Sequence, residues 1–208
     1  MRTMSLRERN RLNTQSEIVE TAIKLFIEKG FDNVPVEMIC DEVGISRGTF
    51  FNYFPQKELI FAEIARQRLE FVNDLIARHI EAHKMSSFDD IIDLLVSIAR
   101  ENERQPDYFK YIVTQIFQRP IVRETLQKLR GELTRILVEN MQRIKRAGGM
   151  PVTRHSNKAI AELLISIFIG TNMQWITQEE TEAGWLADTM RQRLRIAGEG
   201  IVGRTSEN

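Results

Sequence analysis

The chain has 208 residues, 42% hydrophobic and 28% charged, and its 29 basic and 29 acidic side chains leave no formal net charge. This composition is that of a folded globular protein, without the global basic field that attracts nucleic acid to strongly cationic proteins. Cys40 is the single cysteine, which excludes an intramolecular disulfide framework and a zinc site built from several thiolates.

The N-terminal segment is charged, and no apolar stretch of the kind found in secretory signal peptides follows it. Uninterrupted apolar runs are also shorter than a membrane-spanning helix requires. We therefore expect a cytoplasmic protein with no membrane partner. The segment is locally basic, with one acid, Glu8, among the arginines Arg2, Arg7, Arg9 and Arg11.

Helical periodicity runs through almost the whole chain, and no stretch alternates as a strand does. An apolar stripe predicts a first helix over residues 14–29, ended by Gly30. Two short helices follow, with Pro35 at the first helical position and Gly44 between them. A long helix is expected after Pro55.

The remaining chain continues this pattern. Ser86 or Ser87 is placed to cap the next helix, and Pro106 and Pro120 bracket a shorter aromatic one. The total is about nine helices, which predicts an all-α fold. The last three are expected at residues 122–146, 156–178 and 182–198.

The two short helices meet the requirements of a helix-turn-helix. Such a motif needs a small side chain where its helices cross and a residue that tolerates a left-handed backbone in the turn. Cys40 and Gly44 satisfy these two needs. Apolar contacts to the rest of the domain are expected from Ile39, Val43, Ile45 and Phe50.

The second short helix is built to lie against DNA, because no acid occurs between Gly44 and Lys57. Arg47 can donate two hydrogen bonds to a guanine edge. Asn52, a turn later, and Lys57, at the start of the next helix, are placed for phosphates. The predicted DNA-binding residues are Ser46, Arg47, Gly48, Thr49, Phe51, Asn52, Tyr53 and Lys57.

This stretch resembles the DNA-binding domain of the tetracycline-repressor (TetR) family. The resemblance covers roughly the first sixty residues in motif detail. It implies a helix-turn-helix domain over residues 1–57 and a ligand-binding and dimerisation domain over residues 58–208. The matching residues are Phe26, Gly30-Phe31, Ile39, the run from Gly44 to Phe54, and Lys57-Glu58-Leu59.

The chain departs from the family pattern in three ways. Val34-Pro35 stands where relatives carry hydroxyl residues that cap a helix and touch phosphate, so Asn33 or a water is expected to replace that cap. Phe51 stands where the family often has tyrosine. The first short helix is also acidic, which predicts weak non-specific DNA binding and a modest salt slope. Its acids are Glu37, Asp41 and Glu42.

The helix near residues 159–176 is apolar on more than one side. Such a helix must be buried, either inside a monomer or against a second subunit. The resemblance implies a homodimer formed through the last two helices and a small-molecule effector bound in the body. Candidate pocket residues, which plain core packing would also explain, are Phe109, Phe117, Met173 and Trp175.

Other chemistry is weakly indicated. His79 and His83 have the spacing of metal ligands on a helix, but Glu81 between them does not make a zinc-protease motif, and His155 is the only other histidine. We expect no metal, no cofactor and no catalytic residues. Cys40 is expected to be a packing residue and not a redox sensor.

The leading interpretation is a homodimeric transcriptional regulator, more a repressor than an activator. It would bind a palindromic operator in double-stranded DNA and be released by a small apolar or amphipathic effector. One alternative keeps the DNA-binding head without an effector, or as an activator. A remote one is an all-helical enzyme or adaptor. Effector, operator, regulated genes and the number of dimers per operator are left open.

Overall fold

The computed structural model describes residues 5–83, 85–118 and 120–201, and Arg2 lies outside them. Within these residues it contains nine α-helices and no strand, so the prediction of an all-α fold with about nine helices is confirmed. A short 3₁₀ turn, Phe31–Asn33, follows the first helix. The helices are α1 Leu6–Lys29, α2 Val36–Val43, α3 Arg47–Tyr53, α4 Leu59–His83, α5 Phe88–Glu103, α6 Pro106–Gln118, α7 Pro120–Arg146, α8 Asn157–Ile176 and α9 Trp185–Ile201.

Helix α1 begins two turns earlier than its apolar stripe predicted. A capping box starts it, because the Ser5 hydroxyl accepts the Glu8 N–H at 3.2 Å while the Glu8 carboxylate accepts the Ser5 N–H at 3.3 Å. Residues 6–13 are exposed, so they carry no apolar pattern from which burial could have been inferred. The local cap, and not packing, sets this end of the helix.

The chain divides into two compact units. The first contains the described part of Met1–Arg68 together with Lys110–Thr125, and the second contains Leu69–Phe109 and the described part of Leu126–Asn208. The domain boundary predicted between residues 57 and 58 stays a prediction.

Three phenylalanines organise the first unit. The ring of Phe26 lies 5.0 Å from that of Phe31 and 5.6 Å from that of Phe61, and Phe31 and Phe61 are 5.2 Å apart between centroids. Gly30 makes the turn between α1 and Phe31 at φ 82°, a backbone conformation that favours glycine. The cluster joins the end of α1 to the start of α4 and so fixes the frame on which α2 and α3 sit.

Helix α5 runs through the core of the second unit. Ile91, Leu95 and Val96 are completely buried. At its start the Ser87 hydroxyl caps the helix and the Asp90 carboxylate accepts the backbone N–H groups of Ser86 and Ser87, both at 2.7 Å. Ser87, not Ser86, is therefore the N-cap.

Helix α9 packs closely on α5 because Gly198 faces Phe88. A Cβ at residue 198 would lie 3.0 Å from the Phe88 ring, tighter than nine in ten real Cβ contacts. A second close approach joins two loops, since a Cβ on Gly149 would come within 2.0 Å of the Ser86 carbonyl oxygen. The absence of a side chain at both positions allows the second unit to close.

Helix α8 is long and apolar enough to cross a membrane by length and composition alone, with a mean hydropathy of 1.4 over its most apolar 18 residues, of which 39% are buried. One such helix is weak evidence of a membrane span, because the core helix of a soluble protein passes the same test. Polar residues such as Glu162 and Asn172 interrupt its apolar runs, so the prediction about uninterrupted runs is not contradicted, and the expectation of no membrane partner stays a prediction.

Candidate nucleic-acid interface

Helices α2 and α3 form the predicted helix-turn-helix. Gly44 ends α2 in the left-handed conformation, at φ 76° and ψ 34°. The N–H groups of Gly44 and Ile45 both donate to the Cys40 carbonyl, at 2.9 and 3.0 Å, which closes the helix end. The chain can then reverse direction within three residues and begin α3.

Helix α3 has one buried and one exposed face. Phe50 is completely buried and Phe54 nearly so, which anchors the helix in the first unit. Thr49 and Tyr53 are half-buried at the border between the faces. The exposed face, called the reading face below, consists of Ser46, Arg47, Gly48, Phe51 and Asn52.

Ser46 fixes the first turn of α3. Its hydroxyl accepts the Thr49 N–H at 3.1 Å and lies 2.9 Å from the Thr49 hydroxyl. This is the N-cap arrangement that satisfies an otherwise free helix donor. The Thr49 hydroxyl is thus engaged within the protein, and its methyl group remains the part that could meet a base.

Lys57 points its ammonium group into the first unit. Its Nζ donates to the carbonyl oxygens of Phe31 and Val34, both at 2.8 Å, and lies 4.0 Å from the centroid of the Phe31 ring. These contacts hold the segment that leads into α2. The phosphate contact expected of Lys57 stays a prediction, but the geometry gives this side chain a positioning role of its own.

The start of α2 differs from the expectation. Pro35 is the N-cap and not the first helical residue, and no side chain caps the helix. Asn33 does not replace the missing hydroxyl, because its amide donates to the Lys29 carbonyl at 2.8 Å and serves the end of α1. That prediction for Asn33 was wrong.

Arg47 is the one basic residue between Gly44 and Lys57, and it is ion-paired. Its Nη1 lies 2.6 Å from Oε1 of Glu37 on α2, and its guanidinium lies 5.9 Å from the centroid of the Phe51 ring. Both charged side chains are substantially exposed, 63% for Arg47 and 48% for Glu37, so the pair contributes less than about 1 kcal/mol to stability.

The sequence did not predict this pair. Helical spacing relates residues on one helix, whereas Glu37 and Arg47 lie on different helices and meet only through the turn at Gly44. The acidic character of α2 was the available signal.

Cys40 lies where the two helices cross, with 3% of its surface exposed. Burial raises the pKa of its thiol, and the carboxylates of Asp41 and Glu37 raise it further, against a smaller opposing effect of Arg47. The thiol is thus less ionised at neutral pH than an ordinary cysteine, which suits a packing role.

None of the proposed pocket residues whose side chains the structure describes is among those that line the surface concavity described below. Trp175 is buried, its indole N–H donates to the Thr181 hydroxyl at 3.2 Å, and its ring centroid is 5.8 Å from that of Phe109. Met173 is half-buried. The side chain of Phe117 lies outside the part of the chain that the structure describes. The assignment of all four to a pocket stays a prediction.

An open concavity of about 250 Å³ occurs instead on α8 and α9. Arg193 crosses it, donating to the Thr171 hydroxyl at 3.2 Å and also to the Gln174 amide oxygen. Large apolar side chains are exposed on the same two helices, namely Leu163, Ile169 and Ile196. The concavity is lined by Ile167, Gly170, Thr171, Arg193 and Ile196.

No group of three potential metal-binding His, Cys, Asp or Glu side chains occurs in the part of the chain that the structure describes. His79 lies on α4. The side chain of His83 is outside the described set. Within the described residues, no further metal-binding side chain therefore joins the histidine pair that the sequence placed on this helix.

Comparison with known proteins also identifies a DNA-binding regulatory domain at this end of the chain. Residues 18–64 match the family model for bacterial regulatory proteins of the tetR family. The transcriptional repressor Rv1474c of Mycobacterium tuberculosis is 25% identical over 116 residues, 56% of this chain and 51% of that protein. The chain spans 15%, 51% and 30% of the lengths of the first three curated relatives.

Solved structures match over almost the full chain. The TetR-family repressor FadR of Thermus thermophilus, crystallised with lauroyl-CoA, is 21% identical with a TM-score of 0.68, covering 93% of this chain and 98% of FadR. A TetR-family regulator of Syntrophomonas wolfei is 17% identical with a TM-score of 0.75, over 93% and 99% of the two chains. At these identities the likeness shows the fold.

A helix-turn-helix with a capped, acid-free outer helix, carried by an all-helical chain, defines a transcriptional regulator of the helix-turn-helix class. The family model and the full-length structural matches make the assignment narrower. Residues 18–64 are a tetR-family DNA-binding domain, and the described chain has the fold of tetR-family transcriptional regulators.

Proposed function

We propose that this protein is a cytoplasmic, homodimeric transcriptional repressor that binds a palindromic operator through α3 and is released by a small amphipathic effector. The observation that carries the proposal is the reading face. It is exposed, contains no acid, and is held by the Ser46 cap on one side and by the buried Phe50 on the other.

The reading face has the chemistry of a major-groove helix, in which the N-terminal residues meet the bases first. Arg47 stands in the first turn and can donate two hydrogen bonds to the N7 and O6 atoms of guanine. Asn52 lies later on the same face and can donate to phosphate. In the dimer, two such helices would lie about 34–36 Å apart to reach successive major grooves.

The exposed apolar face of α8 and α9 supports the dimer. Ile196 is 61% exposed, Leu163 45% and Ile169 41%. Side chains of this size seldom cluster at a solvent boundary, and a two-fold contact would bury each of them against the same surface of a second copy. Gly170 adds room, because no atom lies within 4 Å of where its Cβ would be.

Polar groups inside the second unit support an effector with a polar part. The amide of Asn102 donates to that of Asn172 at 2.8 Å, with both side chains buried. Oδ1 of Asn140, a residue 4% exposed, accepts no hydrogen bond within the described residues. A buried acceptor without a donor is costly, so a ligand or a water is expected to supply one.

The DNA-binding proposal is tested by fluorescence anisotropy with the duplex upstream of the gene. Specific binding that weakens with salt is expected. Arg47→Ala should cost about 1–3 kcal/mol at one base pair and relax the preference there, whereas Asn52→Ala should weaken all duplexes alike. Arg154→Ala, which removes an exposed arginine from the second unit, is the control and should change nothing. Identical binding by all three variants and wild type would remove the reading face from consideration.

The effector proposal is tested with lauroyl-CoA, the ligand in the FadR structure, and with dodecanoate, its free acyl chain, as probes. A binding probe should raise the unfolding temperature, change Trp175 fluorescence and release the operator duplex. Trp175→Phe with Trp185 retained identifies which tryptophan responds. If no compound in a broad small-molecule library raises the unfolding temperature of the protein while DNA binding is intact, the alternative without an effector is favoured. Raised transcription from the bound promoter in vitro would favour an activator.

A further inference from the structure

Glu37 differs from the other acids of α2 in its partner. Its Oε1 lies 2.6 Å from Nη1 of Arg47, the residue proposed to meet guanine, whereas Asp41 and Glu42 are exposed and make no ion pair within the described residues. The one cation of the reading face is therefore bound to a carboxylate before DNA arrives.

We propose that Glu37 is a specificity-determining residue that acts through Arg47. In this proposal, which rests on the proposed DNA-binding function, the carboxylate lowers affinity for DNA in general and thereby increases discrimination at the base pair that Arg47 contacts. Glu37 is a positioning residue, and Arg47 makes the contact.

The donor geometry of arginine allows both contacts at once. A guanidinium has five N–H donors in a plane, and guanine needs two of them for its N7 and O6 acceptors. A donor on Nη1 can thus stay on Glu37 while others meet guanine. The ring of Phe51, whose centroid lies 5.9 Å from the guanidinium carbon, is a second contact of the same group. Arg47 is therefore held by two neighbouring side chains.

The same carboxylate penalises the wrong partners. An unpaired arginine binds any phosphate, and such contacts supply most non-specific affinity. The Glu37 carboxylate, 2.6 Å from Nη1 of Arg47, offsets the positive charge of Arg47 and repels a phosphate that approaches it. Guanine compensates with two directed acceptors, whereas adenine offers only one acceptor beside a donor. Specificity then arises from a repulsive element as well as an attractive one.

The experiment begins with selection of binding sites from randomised duplexes by the full-length wild-type protein. Affinities are then measured for the selected site, for the same site with the G·C pair of Arg47 changed to A·T, and for a scrambled duplex, over a range of KCl concentrations. The variants are Glu37→Gln, Arg47→Ala and the double variant. Glu42→Gln removes the same charge from the same helix without touching Arg47 and is the matched control.

Glu37→Gln should bind the scrambled duplex about five- to tenfold more tightly and lose at least fivefold of its G·C over A·T preference. Its salt slope should steepen by about 0.9, the value for one additional phosphate contact. In the Arg47→Ala background, Glu37→Gln should leave discrimination unchanged. Glu42→Gln should raise non-specific affinity but keep discrimination.

Three outcomes overturn the inference while leaving the proposed function intact. In the first, Glu37→Gln keeps the wild-type preference within twofold. In the second, Glu37→Gln still changes discrimination in the Arg47→Ala background. In the third, Glu42→Gln reduces discrimination as much as Glu37→Gln does. If the wild-type protein selects no sequence, the proposed function itself fails and this inference with it. Because both glutamates are exposed, all variants should unfold at the wild-type temperature, which confirms that the comparison concerns folded proteins.

Discussion

The proposed functional surfaces of the two units differ in polarity and in whether their side chains have partners within the chain. The reading face of the first unit is polar apart from Phe51, and the Ser46 cap, the Phe50 anchor and the Arg47 side chain all have their partners within one chain. The second unit exposes Leu163, Ile169 and Ile196 on α8 and α9. Water can replace DNA on a polar surface, but it is a poor substitute for a protein partner on an apolar one. This difference supports the proposal of a transient DNA partner for the first surface and a permanent protein partner for the second.

The units also position their helices by different means. Helices α2 and α3 have eight and seven residues, too few to be stable alone, and they depend on Gly44, the Ser46 cap and the Lys57 ammonium. Helices α5, α8 and α9 are 16 to 20 residues long and depend on buried apolar area. Single polar contacts should therefore matter more for function in the first unit.

The largest effect is expected from charging the α8/α9 face. The double variant Ile169→Glu with Ile196→Glu should be monomeric at micromolar concentration, by sedimentation, and should bind the operator at least about 100-fold more weakly, because two linked heads gain that much over one. Val152→Glu, at a loop residue that is 88% exposed, is the control and should remain dimeric. A dimeric double variant would place the interface elsewhere.

A smaller effect is expected from Lys57→Met, which keeps the aliphatic stem but removes the ammonium. The Val34 carbonyl loses the Lys57 donor, whereas the Phe31 carbonyl keeps the Val34 N–H at 3.3 Å, so urea unfolding should show a loss of about 1–3 kcal/mol. Lys29→Met, at an exposed lysine, should cost less than about 0.5 kcal/mol. Unchanged stability with weakened binding to every duplex would instead support the phosphate contact predicted for Lys57.

Asp90→Asn should act on the second unit in a pH-dependent way. Burial works against ionisation of Asp90, but hydrogen bonds from Ser87 and Ser86 prevail and lower its pKa below the ordinary 3.8. A carboxyl whose pKa is lowered by folding contributes stability above the ordinary value, and the contribution is lost as pH falls through the folded value.

At pH 7 the Asp90→Asn variant should thus be less stable than wild type by about 1–2 kcal/mol, and the difference should narrow below pH 3.8. Urea unfolding between pH 7 and pH 3 measures it, with Asp89→Asn as the control at the neighbouring exposed acid. A difference that stays constant over this range would contradict the charge-based explanation.

The smallest effect gives the most direct comparison between the units. Ser46→Ala and Ser156→Ala each remove one N-cap of nearly equal geometry, with hydroxyl to N–H distances of 3.1 and 3.2 Å. Each should cost about 1 kcal/mol in urea unfolding. Only Ser46→Ala should also weaken operator binding, because its cap holds the first turn of α3. Equal loss of DNA binding in both variants would show that the Ser46 cap has no special role in DNA binding.

Much of the fold could be predicted because its signals are local. The period of apolar residues gave α4 to α9, and Gly44 with a following acid-free helix gave the helix-turn-helix. The start of α1 was missed because a solvated helix has no apolar period to detect. The Ser5 and Glu8 spacing was visible in the sequence and was the available signal.

The sequence by itself determined the helices, their order and the chemistry of the reading face, since propensity, caps and periodicity act over a few residues. The tertiary structure decided which groups meet across those helices. It paired Arg47 with Glu37, turned the ammonium of Lys57 inward to two carbonyls and left Ile169 and Ile196 exposed. The physical reason is that such contacts depend on how separate helices pack against each other, and the periodicity within one helix does not record that packing.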